Sequence, residues 1–305
     1  MKVGLDIGGT KTHAVAIDAA GRVVGQLRLP TGFGAAAVLA TAIEAVSRLA
    51  SALDVGISQF NSVGVGIPGT VDGESGRVTH AVNLGVADLD LGRDLALQLG
   101  VFVRVENDVN AAAVGAFHLL GRSNMHSMAY LNLGTGLAAG LVLDGRLWRG
   151  SRGTAGEIGH IPVDPSGALC PCGQRGCLEL MASGSAIVRQ WPTNHPRPAQ
   201  ALFIAAAAGD KRAIEVRHSL LSHVASAVRV LVLSLDVDTV VIGGGLSSLG
   251  PPLLLGVREV LDGWTTVSPF IASLELAGRV TLVPEGFSVA AVGAALVGVT
   301  PSEVV

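Results

Sequence analysis

Leu5-Asp6-Ile7-Gly8-Gly9-Thr10-Lys11, set beside Leu131-Asn132-Leu133-Gly134-Thr135-Gly136, is the pair of segments on which the fold turns. Offset by 126 positions the two run in step, and Asp18 then falls on Asp144. Each reads as a short apolar strand, a turn rich in Gly and Thr, and a strand leading back. Such turns point several backbone N–H groups at one spot and bind anions without a basic side chain. Any two glycine hairpins share some of this likeness. A duplicated fold accounts for it as well, with two facing turns clamping a polyphosphate between lobes.

Outward from the first turn, residues 2–6, 13–18, 22–28, 62–66 and 101–105 have the pattern of strands, and 35–53 and 109–120 that of helices. The pattern restarts after about residue 117. A second hairpin is predicted at 127–133 and 137–143, and a glycine-rich irregular stretch at 150–178. Mostly helix follows to 235, then a strand at 239–243 and helices near 246–262 and 288–300. The class is α/β. At 305 residues a single core stops growing, so two lobes are expected. The predicted N-terminal lobe is residues 1–116, completed by a C-terminal helix at 288–305; the C-terminal lobe is 117–287 and contains a loop at 156–179.

Composition narrows the partners. The chain is 49% apolar and 15% charged, enough to bury a large core, and its 41 glycines are about twice ordinary usage. A net charge of −3 without any Lys/Arg-rich run argues against nucleic acid. The opening Met-Lys-Val-Gly-Leu-Asp lacks a signal peptide, which predicts a cytoplasmic protein. Mean hydropathy is +0.53, but Arg229, Asp236 and Asp238 interrupt the apolar stretch near 220–242, so no membrane segment is expected.

In Asp6–Lys11 the glycines permit close backbone approach, Thr10 and Lys11 can reach phosphate oxygens, and Asp6 suits a hydrated Mg²⁺. The GK[ST] ending of a Walker A loop is absent. Gly134-Thr135-Gly136 suits a second phosphate contact, and Gly243-Gly244-Gly245, after Val240-Val241-Ile242, lets a flat base approach backbone. Either could equally be a tight turn. Glu106-Asn107-Asp108-Val109-Asn110 lies where a strand hands over to an alanine-rich helix. That place suits hydroxyl recognition and a general base, and it equally suits Asn107 or Asp108 as helix N-cap; both roles can coexist.

The most specific local signal is Gly156-Glu157-Ile158-Gly159-His160 followed by Cys170-Pro171-Cys172 and Gly176-Cys177-Leu178-Glu179. All the cysteines of the chain fall within these eight positions, and His160 adds a fourth ligand: a Cys₃His tetrahedral zinc set. Four protein ligands leave no position for water, so this zinc is expected to be structural. Glu157 and Glu179 bracket the loop, where carboxylates on a metal-anchored backbone make bidentate acceptors for vicinal sugar hydroxyls.

Together these segments resemble the ROK family of sugar kinases and related repressors, within the hexokinase/actin-like superfamily. The likeness runs through Asp6–Lys11, Gly66-Ile67-Pro68-Gly69, Val71-Asp72, Asn83-Leu84, Glu106–Asn110, Leu133–Gly136, Glu157–Glu179 and Gly243–Gly245. It implies a duplicated, two-lobed actin-like ATPase (ribonuclease H-like) fold with an interlobe cleft. The implied reaction is transfer from MgATP to the 6-hydroxyl of a hexose: glucose, or an N-acetylhexosamine such as N-acetylglucosamine or N-acetylmannosamine. Asp108 is then the general base. The sugar contacts are Asn83, Asn107, Asp108, Glu157, His160 and Glu179, with backbone at Gly69. Nucleotide falls to Asp6, Gly8, Gly9, Thr10, Lys11, Gly134, Thr135, Gly136, Gly243, Gly244 and Gly245, and zinc to His160, Cys170, Cys172 and Cys177. A homodimer or homotetramer is implied.

Several positions depart from the family pattern: Ala138-Ala139 replace frequent glycines, no Trp follows Asn83-Leu84, and Ala116 stands where Glu is common. Two other readings compete. A sugar-responsive repressor would carry a helix-turn-helix ahead of Asp6, where only five residues stand. A sugar-binding protein without catalysis would differ from a kinase in releasing no ADP.

Overall fold

In the computed structural model, which describes residues 1–121 and 125–298, each quoted segment lies at the centre of its own sheet. The chain divides into two units, one built from Met1–Asn124, Leu147–Ala155 and Phe287–Val305, the other from Met125–Arg146 and Gly156–Gly286.

The first unit begins with Lys2–Ile7 (β1), Lys11–Ile17 (β2), Val23–Pro30 (β3) and Ala35–Ala52 (α1). Ser62–Ile67 (β4), Thr70–Val71 (β5), Val78–Ala81 (β6), Val86–Leu89 (β7), Leu91–Leu99 (α2), Val103–Asn107 (β8) and Asp108–Leu120 (α3) follow. The main sheet has the order β3-β2-β1-β4-β8, with β1, β4 and β8 parallel. Every residue of β4 is buried, as expected for a parallel strand covered on both faces. α1 packs on β1–β3 with Val38, Ala42, Ala45 and Leu49 facing the core. On the other face the C-terminal helix Val289–Val297 lies against β1 and β4 so closely that only glycine fits beneath it. A Cβ on Gly4 would stand 1.9 Å from the Ala291 carbonyl, and one on Gly64 1.7 Å from that of Ala294. Residues 299–305 of the expected helix lie outside the described residues.

The second unit contains Met128–Leu133 (β9), Leu137–Leu143 (β10), the first residue of Arg146–Trp148 (β11), Gly184–Gln190 (α4), Pro198–Ala207 (α5) and Lys211–Leu235 (α6). Thr239–Gly243 (β12), Pro251–Thr265 (α7), Pro269–Ser273 (α8) and Val280–Leu282 (β13) complete it, and the C-terminal helix is α9. Its sheet order, β11-β10-β9-β12-β13, repeats that of the first unit, with β9, β12 and β13 parallel. The repeat is register-true: β1 and β2 map onto β9 and β10 at both ends of each strand with the same offset of 126.

α1 and α6 are long and apolar enough to cross a membrane by length and composition. Each, however, is amphipathic: α6 buries Leu220, Val224, Val228 and Leu231 and exposes its opposite face. The small sheet β5-β6-β7 was not predicted, because antiparallel strands of two to four residues are too short to carry a periodic signal. It frames the turn that holds Asn83.

Candidate active site

The parallel strands of the first unit end together. Asp6, Gly66 and Glu106 stand at one level on β1, β4 and β8, with Ile67 beside Asn107 one residue on. Ligands of open α/β sheets bind beyond such carboxyl ends. Immediately past β1 the chain makes the first turn, in which the Gly8 N–H donates to the Lys11 carbonyl (3.0 Å). Thr31, fully buried, braces it: its hydroxyl donates to the Gly8 carbonyl (2.7 Å) and its N–H to that of Thr10 (3.2 Å). The Gly8, Thr10 and Lys11 carbonyls are thereby occupied, while Gly9, Thr10 and Lys11 are exposed. No sequence signal marked Thr31.

Asn83 lies beside this turn. A Cβ on Gly9 would be 3.4 Å from the Asn83 carbonyl, and the Gly34 N–H donates to the Leu84 carbonyl (2.7 Å), fastening the Asn83 turn to the loop after β3. Asn83 itself is exposed.

At the end of β8 the two competing roles of Asn107 and Asp108 separate. Asn107 is the N-cap: its backbone is extended (φ −61°, ψ 142°) and its Oδ1 accepts from Val109 N–H (2.9 Å) and Asn110 N–H (3.2 Å). Its Nδ2 donates to the Gly69 carbonyl (3.3 Å), so the amide is oriented from both ends. Asp108 is the first helical residue, with Oδ1 also receiving the Val109 N–H (3.0 Å). Desolvation of Asp6 pushes its carboxyl up to about 7; the Asp108 carboxylate adds to the rise and Arg28 opposes it. Asp6, Gly8, Gly9, Thr10, Lys11, Gly69, Asn83, Asn107 and Asp108 therefore form one group around the strand ends of a single unit.

The second unit gathers the remaining residues. In the second turn the Gly134 N–H donates to the Gly136 carbonyl (3.0 Å). Asn132 pairs with Gly243 across the parallel strands, and a Cβ on Gly244 (φ +77°) would meet Asn132 Oδ1 at 2.5 Å. Gly134–Gly136 and Gly243–Gly245 are thus neighbours. Beside them is a cavity of about 540 Å³ lined by Gly134, Thr135, Gly184, Ser185, Val188 and Gly245 among others. Gly184 and Ser185, unforeseen, are held there by N–H bonds to the Gly134 (2.8 Å) and Thr135 (3.2 Å) carbonyls. The only sequence cue was a Ser-Gly-Ser run, in which Ser183 turns out to cap α4. Ala138 and Ala139 lie within β10, outside that lining.

Glu157 opens a short 3₁₀ turn, Ile158–His160, seated on β10: the Ala139 N–H donates to the Gly156 carbonyl (2.8 Å). Glu179, on a second such turn, Leu178–Leu180, accepts the Leu137 N–H through Oε2 (3.0 Å). Glu157, His160 and Glu179 are brought into one neighbourhood: a Cβ on Gly159, between Glu157 and His160, would stand 3.4 Å from the Glu179 Cβ. Glu157 is exposed and the other two are half-buried.

The donor atoms of His160, Cys170, Cys172 and Cys177 all lie within 4.8 Å of one another. Cys172 and Cys177 sulfurs are 3.6 Å apart, and His160 Nδ1 is 3.9 Å from the Cys170 sulfur. The Gln174 backbone N–H favours the Cys172 thiolate, lowering that group to about 6, whereas desolvation pushes Cys177 up to about 12. Three sulfurs at this spacing cannot all ionise without a cation among them, and one imidazole with three thiolates is a donor set that zinc fits.

The model of the ROK family matches residues 2–296. The chain is 33% identical to a glucokinase of Halalkalibacterium halodurans over 86% of its length and 85% of the relative's. It is 34% identical to an N-acetylmannosamine kinase of Yersinia pseudotuberculosis over 79% and 82% of the two. A ROK family glucokinase from Streptomyces griseus, solved with glucose and AMPPNP, superposes with a TM-score of 0.79 at 30% identity, covering 97% of this chain and 98% of that one.

Proposed function

This chain belongs to the ROK family and is a sugar kinase of the actin-like ATPase fold that phosphorylates a hexose with ATP; on that premise we propose that the acceptor is the 6-hydroxyl and that Asp108 takes its proton. The observation that carries the reading is that Asn107 caps α3. Asp108 is therefore not required as the cap, and its carboxylate stands on a rigid helix start at the strand ends, where a base is needed.

In the proposed reaction the sugar O6 attacks the γ-phosphorus while the bond to the β-phosphate oxygen breaks, and ADP leaves. The hydroxyl proton passes to Asp108. Such transfer depends on positioning and on neutralising charge rather than on covalent help from the protein. Backbone N–H groups of the two turns, with Thr10 and Lys11, would hold the phosphates, and the cavity beside Gly134 and Gly245 would take the base. MgATP enters as substrate, its cation balancing Asp6. Asn107, with Oδ1 committed to the cap, offers the sugar an Nδ2 proton; Asn83, Glu157, His160, Glu179 and backbone at Gly69 complete the sugar contacts.

His160, Cys170, Cys172 and Cys177 are proposed to hold one structural zinc, which ties the chain ends of their loop together and supplies no open coordination position. Binding through Nδ1 would leave His160 Nε2–H to donate toward the sugar. The discriminating experiment is kcat/KM by ADP release across glucose, mannose, N-acetylglucosamine and N-acetylmannosamine, with 6-deoxyglucose as control. Turnover of 6-deoxyglucose would overturn the 6-hydroxyl assignment; the highest value in the panel identifies the sugar.

A further inference from the structure

Glu106 is only 5% exposed, yet it puts a carboxylate immediately ahead of Asn107 and Asp108. Four contacts hold it. Oε1 accepts from the Asn107 backbone N–H (3.1 Å) and from the Asn110 side-chain amide (3.0 Å). Oε2 accepts from Arg149 Nε (2.7 Å) and Arg149 Nη2 (2.6 Å). Arg149 comes from Leu147–Ala155, a short stretch that belongs with β8 although the chain enters it from Arg146 and leaves it at Gly156. The Arg149 carbonyl accepts the Ala155 N–H (3.2 Å), folding the stretch back on itself and fixing the guanidinium's origin.

A guanidinium placing two N–H groups on one buried carboxylate oxygen is a strong, directional, charge-assisted contact, and removing either partner leaves a charge buried without compensation. Here the contact has an unusual address. Of the two groups on Oε1, one is the peptide that carries Asn107 into the cap, and the other is the Asn110 side chain in the first turn of α3. Glu106 thus fixes the peptide leading into Asn107 and the helical turn that carries Asp108.

We propose that Arg149 is a positioning residue for phosphoryl transfer: through Glu106 it sets the direction in which Asp108 meets the sugar hydroxyl. The inference rests on Asp108 being the base. Phosphoryl transfer needs reacting atoms aligned within a fraction of an ångström, so a loosened helix start reduces turnover while leaving nucleotide and sugar to bind through their own contacts. Lysine reproduces the effect only in part, because it keeps the charge but offers a point charge in place of the fork.

The test compares Arg149→Ala, Arg149→Lys, Glu106→Gln, the Arg149→Ala/Glu106→Gln double variant and Asp108→Asn. For each, kcat, KM for MgATP, KM for the best hexose of the panel and the melting temperature are measured. Arg149→Ala is expected to lose about 10–100-fold in kcat with both KM values within about threefold of wild type. Arg149→Lys should fall between, and the double variant should be no slower than the slower single variant, since both changes remove one contact. Turnover of Arg149→Ala within about threefold of wild type, equal losses for Ala and Lys, or multiplying losses in the double variant would each overturn the proposal. If Arg149→Ala does not fold, Arg149→Lys decides: wild-type kcat overturns the inference and a lower kcat at unchanged KM supports it. Asp108→Asn separates the two layers. Retained turnover there removes the base assignment itself, whereas an inactive Asp108→Asn beside an unimpaired Arg149→Ala removes only the role of Arg149.

Discussion

The two Gly/Thr turns share a backbone and differ in charge. Both follow the central strand of their sheet, and both close with a glycine N–H on a nearby carbonyl, Lys11 in one and Gly136 in the other. Before the first turn stands Asp6, whose desolvated carboxyl titrates near 7; at the equivalent position before the second stands neutral Asn132. The second turn takes its carboxylate from elsewhere: Glu179, carried by the cysteine-rich loop, holds the Leu137 N–H and fills the space where a side chain on Gly136 would lie. A duplicated strand and turn has thus been given different surroundings in its two copies. One copy has its acids at the strand ends, Asp6 on β1 and Asp108 just past β8, while the other leans on a loop that gathers His160, Cys170, Cys172 and Cys177.

The acidic copy breaks most visibly at Asp108. Asp108→Asn keeps size and polarity but cannot accept the hydroxyl proton, so kcat should fall by about 10²–10⁴ while calorimetric sugar affinity stays near wild type. Because Asn107 is the cap, the melting temperature should not move. Retained turnover would make the acidic end of the first turn merely structural.

The tethered copy is tested by Cys172→Ser. Metal analysis should find about one zinc per chain in the wild type and little in the variant, with stability lower by about 3–5 kcal/mol. Sugar affinity should fall with it, since Glu157, His160 and Glu179 sit on the same loop. A fully active wild-type protein without zinc would leave the second turn without its proposed anchor.

Asp6 sharpens the charge difference through pH. Its folded-state carboxyl is raised to about 7 from an ordinary 3.8, so between those values the folded protein keeps a proton that the unfolded chain releases. That contribution is complete below about pH 4 and is lost as pH rises through 7, declining by about 1.4 kcal/mol for each pH unit in between. Ligand-free Asp6→Asn should therefore melt above wild type at pH 8, with the advantage gone near pH 4. Parallel melting curves at both pH values would remove the distinction between Asp6 and Asn132.

The smallest effect is expected from making the turns alike. Asn132→Asp adds a carboxylate beside Gly134 and Gly244 and should raise KM for MgATP by about 10-fold, near 1.4 kcal/mol, with little change in kcat. An unchanged KM would mean that the phosphates do not approach the second turn.

Much of the fold was legible because its signals are local. β1, β2, β9 and β10 are short apolar strands joined by glycine turns, and their common offset of 126 could be read without any tertiary knowledge. β8 was expected two residues early, at 101–105 rather than Val103–Asn107, because Val101 and Phe102 are apolar like the strand that follows. The strands of the small sheet around Asn83 left no pattern. In the site, Gly134 and Gly245 could be nominated from sequence, but Gly184 and Ser185 reach the same cavity by hydrogen-bonding to the second turn, a contact no spacing encodes.

The sequence by itself determined that His160 and the cysteines would gather in one loop, since their spacing leaves few ways to fold it, and it determined that a capping group stands at Asn107-Asp108. Which of the two residues caps was decided only by the backbone: Asn107 is extended and Asp108 is helical. The ion pair behind them belongs wholly to tertiary structure. Glu106 and Arg149 are 43 residues apart, and a glutamate in a strand and an arginine in a glycine-rich loop look like ordinary surface residues until the fold buries one and delivers the other to it.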